Sequence, residues 1–260
     1  MKTKTVEQDN GNTRRANGFM APLAVLVIIF AGLELFTRGF EIPYYVLPSP
    51  SQILYETITH FGDIWPHFLF TLKITSIGFL VSVPIGMLLA ALLSQFNLLV
   101  MMVTPVVILF VITPMITLIP LLMLWMGTVP NLRVIVVIIQ ATPIITLNML
   151  NGFSHVENEK LELAKSVGAT RFQRFRGIVF MNAMPQVFTG IKLGCIFSTI
   201  GAVSADFVAG TIGLGFRILQ YTKYNLTALS YGCIVIIALI GITLYTVVEV
   251  IEKRVVVWKN

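Results

Sequence analysis

Few side chains in this sequence are equipped for chemistry, and they do not gather. His60 and His67 flank the start of one apolar run, and His155 follows another. A membrane enzyme needs a clustered set of His, Asp or Glu to move protons or hold a metal. These three do not form one and read as interfacial residues. Cys195 and Cys233 sit in apolar surroundings, where they read as small core residues rather than a disulfide. Gly213-Leu214-Gly215 has the glycine content of a phosphate loop but lacks the lysine that a P-loop needs, and it follows an apolar run. It reads as a place where the chain turns. Asp206 lies near the end of that run, and the middles of the apolar runs hold no carboxylate suited to a proton relay.

The composition explains this poverty. Of 260 residues, 56% are hydrophobic and 12% charged, about half the charge of an ordinary globular chain. Too few polar groups remain to cover a soluble surface, so the implied solvent is lipid. The net charge of +6 does not point to nucleic acid, because the basic residues fall at the ends of apolar runs rather than in one stripe. The fold class is an all-α membrane protein with about six transmembrane helices.

Along the chain, residues 1–18 form a polar tail. Residues 19–67 hold a first span, about Phe19 to Phe36, and an external segment 38–67. Glu34 lies near the outer end of that span, where its carboxylate reaches the interface cheaply. Leu47-Pro48-Ser49-Pro50 cannot continue a helix. Residues 51–61 fit a short amphipathic helix with Ser51 near its cap and Ile53, Leu54, Ile58 and Phe61 on the membrane surface. The core, 68–252, opens with a span from about Phe68 to Leu93, whose Gly78, Gly86, Ala90 and Ala91 offer a small surface for helix packing. Lys73 in its outer half reads as a snorkelling lysine. Pro105, Pro114 and Pro120 imply a bent or broken helix between Leu98 and Met126, tolerable where freed carbonyls face protein or a water-lined cavity. After an external turn at Gly127–Asn131, a fourth span follows from Arg133 to about Leu150. The fifth is Val187–Val208 and the sixth Leu226–Val248. Residues 253–260 end the chain. The tail, the 151–185 insert and the C-terminal end hold most of the lysines and arginines, and six spans put all three on one side. By the positive-inside rule both termini are cytoplasmic.

The insert is the longest strongly polar segment after the N-terminal tail. Glu157, Lys160, Glu162 and Lys165 supply a polar surface, while Leu161 and Ala164 share a face with Gly168, which can end the helix. A second helix starts near Arg171, with Arg174 on its basic side and Phe172, Phe175 and Val179 on an apolar stripe. Asn182 and Pro185 interrupt it before the next span. Physics alone leaves two readings: an amphipathic loop resting on the bilayer, or a knob that docks a protein.

The segment resembles the cytoplasmic signature loop of permease subunits of bacterial ATP-binding-cassette importers. Glu162-Leu163-Ala164, then Gly168 and Ile178, stand at the separations of that pattern; Leu163, Phe180 and Met181 depart from it. The likeness continues through Leu47-Pro48-Ser49-Pro50, Thr71-Leu72, Gly78, Gly86, Pro120-Leu121, Leu124-Trp125-Met126-Gly127, Gly213-Leu214-Gly215, and Glu249, Arg254 and Trp258. Together these resemble the nitrate, sulfonate and taurine branch.

The resemblance implies a type I ABC importer permease fold in the bacterial inner membrane. It implies a second copy of the permease, two cytoplasmic ATP-binding subunits and an external solute-binding protein as partners, with membrane lipid around them and no nucleic acid. The chain itself would need no cofactor and do no catalysis; ATP and Mg belong to the partner ATPase. Glu162, Ala164, Gly168 and Arg171 would form the coupling region, with Ala164 and Gly168 permitting close approach. The solute would be a small polar one of oxyanion, sulfonate or vitamin-precursor type. Met115, Thr117, Ser198, Thr199 and Ser204 are neutral groups suited to line its path. The rival is an independent secondary transporter, which needs a central charge or a broken-helix ion site.

Overall fold

A computed structural model describes residues 24–127 and 130–259. The expected 1–18 tail, the start of the first span and the middle of the Gly127–Asn131 turn lie outside the described residues. All regular structure among the described residues is helical, and the chain divides into two compact units.

The first unit holds the described residues up to Phe61 together with Tyr221–Gly232. Helix α1 covers 24–39, and α2 covers Pro50–Thr59. The cap of α2 is Ser49 rather than Ser51: Pro50 takes the first helical position, and Ser49 and Gln52 close a reciprocal capping box. Ser51 does something else. Its N–H donates to Glu34 at 3.0 Å and its hydroxyl donates to the same carboxylate at 2.7 Å. Arg38 holds Glu34 at 2.6 Å. The carboxylate expected to reach the interface thus sits at the positive end of α2. Thr227 donates to the Tyr45 carbonyl at 2.7 Å, closing the unit.

The second unit holds Gly62–Gln220 and the described residues from Cys233 on. Helix α3 runs over Phe61–Leu93, so the helix itself begins before His67. Pro66 does not prevent this, because so near the helix start it orphans only the carbonyl of exposed Gly62. Helices α4 (Asn97–Ile112) and α5 (Met115–Met126) follow. They meet at 97°. The break falls at Pro114, which holds Thr113 extended at ψ 122°, while Pro105 and Pro120 stay inside their helices. Next come α6 (Pro130–Ser154), α7 (Asn158–Ser166), α8 (Arg171–Arg174), a π-turn at Phe175–Val179 and α9 (Phe180–Ala209). Helices α10 (Leu214–Lys223) and α11 (Thr227–Val255) complete the chain, with a last 3₁₀ turn at Val257–Lys259.

One expectation is corrected by the course of α9. Asn182 and Pro185 do not interrupt the helix: Arg171–Ala209 is one continuous apolar run. Pro185 costs only the bond to the carbonyl of Met181, whose side chain is exposed, and the extra residue of the π-turn absorbs the local change of pitch. The span number is met in part among the described residues. Phe61–Leu93, Asn131–Ser154, Arg171–Ala209 and Thr227–Val255 are long and apolar enough to cross a membrane, with a fifth if the bent α4–α5 pair counts as one. The remaining expected span falls partly on residues that are not described.

Helices α6 and α9 form the central pair. Ala141, Ile145, Met149 and Phe153 of α6 meet Ala183 and Val187 of α9, with Ala90 and Leu93 of α3 beside them. Small residues set the spacing, as packing in lipid demands. A β-carbon at Gly201 would stand 3.2 Å from the Cα of Val137, and one at Gly194 2.7 Å from Ile145 Cδ1. Gly78 and Gly86 of α3 receive Val137 and Ile145 of α6 in the same way. Replacing Gly194 by leucine is expected to cost about 1–3 kcal/mol by overpacking. A lowered thermal midpoint in detergent checks this against Gly62→Leu, where the space is open.

Candidate functional site

The insert folds as two short helices around one glycine. Gly168 has φ +78°, a conformation that glycine adopts without the penalty a Cβ imposes. Around it, Ala169 N–H donates to the Ala164 carbonyl at 3.0 Å and Gly168 N–H to that of Lys165 at 2.9 Å. This is the Schellman pattern, which satisfies the orphan carbonyls at the end of α7. The next helix starts at once, because the Thr170 hydroxyl accepts from Gln173 N–H and the Gln173 side chain accepts from Thr170 N–H. Phe175 then packs edge-on against Phe153 at 5.3 Å, fixing the loop to the end of α6.

The named residues divide by environment. Ala164 is buried against its own chain, so it does not offer a surface for close approach by a partner. Glu162, Gly168 and Arg171 are exposed. A β-carbon at Gly168 would meet nothing within 4 Å, so its glycine is required by conformation and not by space within this chain. No ion pair joins Glu162 to Arg171 among the described residues; Lys160 pairs with Glu157 at 3.0 Å. What the loop does present is apolar: Leu163, Val167 and Phe172 are 69%, 77% and 70% exposed. A cavity of about 280 Å³ opens beside α8, lined by Arg171 and Arg174 together with Ser94 and Gln95 of the α3–α4 turn.

A second cluster, which sequence reasoning missed, surrounds Asp206. The residue lies near the end of α9, as expected, but is 1% exposed. Thr71 of α3 donates to its carboxylate at 2.8 Å, and the same hydroxyl accepts from Leu214 N–H at 2.9 Å. Arg133 of α6, also buried, faces it at 3.5 Å and donates to the Ala209 carbonyl at 3.1 Å. The guanidinium lies over the Phe70 ring at 4.9 Å. His67 Nδ1 accepts from Gly213 N–H at 3.0 Å, so this histidine is a structural acceptor and not merely interfacial. Gly213 has φ +122°, and a side chain there would overlap the Asp206 carboxylate. The Gly-Leu-Gly run does turn the chain, and it also spends two backbone N–H groups locking the turn to α3. Thr71 and Asp206 are far apart in sequence, so no local spacing announced the pair.

Cys195 and Cys233 are buried free thiols. Lys73 is exposed, as a snorkelling lysine must be. Among the described residues no group of three or more His, Cys, Asp or Glu could hold a metal ion.

Comparison with known proteins supplies the family. The family described as "Binding-protein-dependent transport system inner membrane component" matches residues 82–257, more than half of the chain. The riboflavin transport system permease protein RibX of Chloroflexus aurantiacus is 29% identical over 94% of this chain and 91% of its own length. The formylaminopyrimidine transport permease protein ThiX of Halalkalibacterium halodurans is 27% identical, covering 95% and 99%. The taurine transport system permease protein TauC of Escherichia coli is 23% identical, covering 95% and 91%. Among solved structures, an inward-facing MetNI methionine ABC transporter superposes with a TM-score of 0.56 at 18% identity, over 76% of this chain and 94% of that one. An amino acid ABC transporter gives 0.63 at 15% identity, over 77% and 98%. These structures share the fold. The chain is a multi-pass membrane protein, and it belongs to the family of binding-protein-dependent transport system inner-membrane components.

Proposed function

We propose that this subunit forms the translocation path of an ATP-driven importer and that residues 157–171 couple it to cytoplasmic ATP-binding subunits. The observation that carries the coupling is the exposed apolar surface of Leu163 and Val167, one turn apart at the end of α7, and of Phe172 on α8, on a loop whose turn is closed by capping bonds. Such a surface, rimmed by Glu162 and Arg171, suits a groove on a protein partner. Glu162 and Arg171 set the rim, Gly168 the angle between the helices, and Ala164 the seat of α7 on its own chain.

Six spans with both termini cytoplasmic remain the preferred topology, with a polar tail at 1–18, a first helix and external segment at 19–67, a core at 68–252 containing the 151–185 loop, and a cytoplasmic end at 253–260. The complex would contain a second permease copy, two ATP-binding subunits and an external solute-binding protein. ATP and Mg would bind the ATP-binding subunits. The family is binding-protein-dependent by description, so an independent secondary transporter is not proposed.

The solute is a small polar one, of the oxyanion, sulfonate or vitamin-precursor type; similar permeases are named for riboflavin, formylaminopyrimidine and taurine transport. Of the expected path residues Thr117 is exposed, while half-buried Ser204 and the largely buried Thr199 border a groove of about 370 Å³ with Ile116, Val203, Phe207 and Ile237. Met115 and Ser198 are buried within this chain. Purification of the tagged chain from its native membrane in mild detergent, with mass spectrometry of what copurifies, tests the assembly. An ATP-binding subunit at equal stoichiometry is the expected result. A chain that comes alone under several mild conditions overturns the reading.

A further inference from the structure

Helix α9 is joined to its neighbours in two different ways. Against α6 it packs along its length, through the small residues Gly190, Gly194 and Gly201. Against α11 it stands off, leaving a groove of about 350 Å³ between Ile196, Ile200, Ile237 and Tyr245. Below that groove the two helices touch through Phe188, Cys195 and Val248. Apolar contact of this kind is non-directional and lets surfaces slide. Among the described residues, one ion pair crosses the gap. Lys192 Nζ of α9 lies 2.7 Å from Glu252 Oε2 of α11, with both side chains largely buried, and 5.8 Å from the centre of the Tyr245 ring. An ionised pair within membrane-length helices is costly unless it serves a purpose, and a short charge-assisted bond fixes one register where sliding contact does not.

We propose that the Lys192–Glu252 pair is a positioning tie that makes α11 follow α9 during the transport cycle. This rests on the coupling reading of residues 157–171. The coupling loop and α9 are linked by the continuous run Arg171–Ala209, so displacement of the loop moves α9 directly. Helix α6 follows through packing. Helix α11 has a loose apolar contact and this one bond, and the bond sets its register. Glu249 and Lys253 pair with each other at 2.7 Å, which leaves Lys192 to Glu252.

The test uses the full complex that copurifies with the chain, reconstituted in lipid. Sparse spin labels are placed on cysteines at Gln95 and Met181, or at Met181 and Val247. The native Cys195 and Cys233 are wholly buried and stay unlabelled. Distances are compared between the nucleotide-free state and the state trapped with ATP and vanadate. In the wild type, the Gln95–Met181 distance changes and the Met181–Val247 distance does not. In Lys192→Gln, the first change persists and the second distance now shifts by about 2 Å or more, the size of a helix shift against a neighbour. The charge swap Lys192→Glu with Glu252→Lys restores the constant Met181–Val247 distance and covers the case in which the single variant is unstable. A constant Met181–Val247 distance in Lys192→Gln, with Gln95–Met181 still moving, overturns the tie alone. A Gln95–Met181 distance that never moves in the wild type overturns the coupling reading, and the tie with it.

Discussion

Gly168→Val is expected to separate the permease from its ATP-binding subunits. Gly168 holds φ +78°, where a β-branched residue is a genuine outlier. Holding such a conformation costs about 1–3 kcal/mol. The chain has a cheaper course: it gives up the Schellman bonds at Lys165 and Ala164 and lets α7 swing relative to α8. The population of the correct loop then falls by a factor of roughly 5 to 150, and the amount of ATP-binding subunit recovered in a pull-down, together with its hydrolysis rate, falls with it. Asparagine tolerates the left-handed region better than other side chains. Gly168→Asn is therefore expected to keep most of the recovery, because open space surrounds the position. If valine and asparagine fail equally, a partner presses on Gly168 and space is what matters. If both behave as wild type, the loop is not the coupling element.

The second large effect belongs to Arg133. Arg133→Met leaves the Asp206 carboxylate buried without its counter-charge, and removing one partner of a buried pair costs about 3–5 kcal/mol. Adding Asp206→Asn removes that charge yet keeps an oxygen to accept from Thr71. The double variant is therefore expected to recover most of the loss, short of the Ala209 carbonyl that still lacks its donor. Unfolding followed by a thiol-reactive dye reads this directly, since Cys195 and Cys233 are wholly buried in the fold. The midpoint should fall furthest in the single variant. A double variant no more stable than Arg133→Met would show that the arginine acts through packing on Phe70 and not through charge.

Much of the architecture was legible because lipid imposes it. Long apolar runs could only be spans, and the prolines around Leu98–Met126 could only mean a disturbed helix, although which of the three would break it was decided by the chain around Pro114. Gly168 announced the loop, and within the chain the fold gives it a conformational reason, φ +78°, beside the close approach first expected. Ala164 reads the same in sequence whether it faces a partner or its own protein; only the fold shows the latter. The extension of α9 through Pro185 was hidden because a proline near the polar end of a run looks like a stop, when losing one bond beside an exposed residue is a small cost. The Asp206 cluster was hidden for another reason. Thr71, Arg133 and Asp206 sit on three helices, and each alone is an unremarkable residue near the end of an apolar run.

The unbroken run from Arg171 to Ala209 has a mechanical consequence. Its far end is held at Asp206 by bonds to two other helices, and its near end carries the loop, so it is a lever with its fulcrum at one tip. At 1.5 Å per residue the arm from Asp206 to Arg171 is ~50 Å and that from Asp206 to Lys192 ~20 Å. A sideways push of ~4 Å at the loop therefore becomes ~1.6 Å at Lys192 and almost nothing at Asp206. A displacement delivered this way would be graded along the rod, largest at the loop and smallest at Asp206.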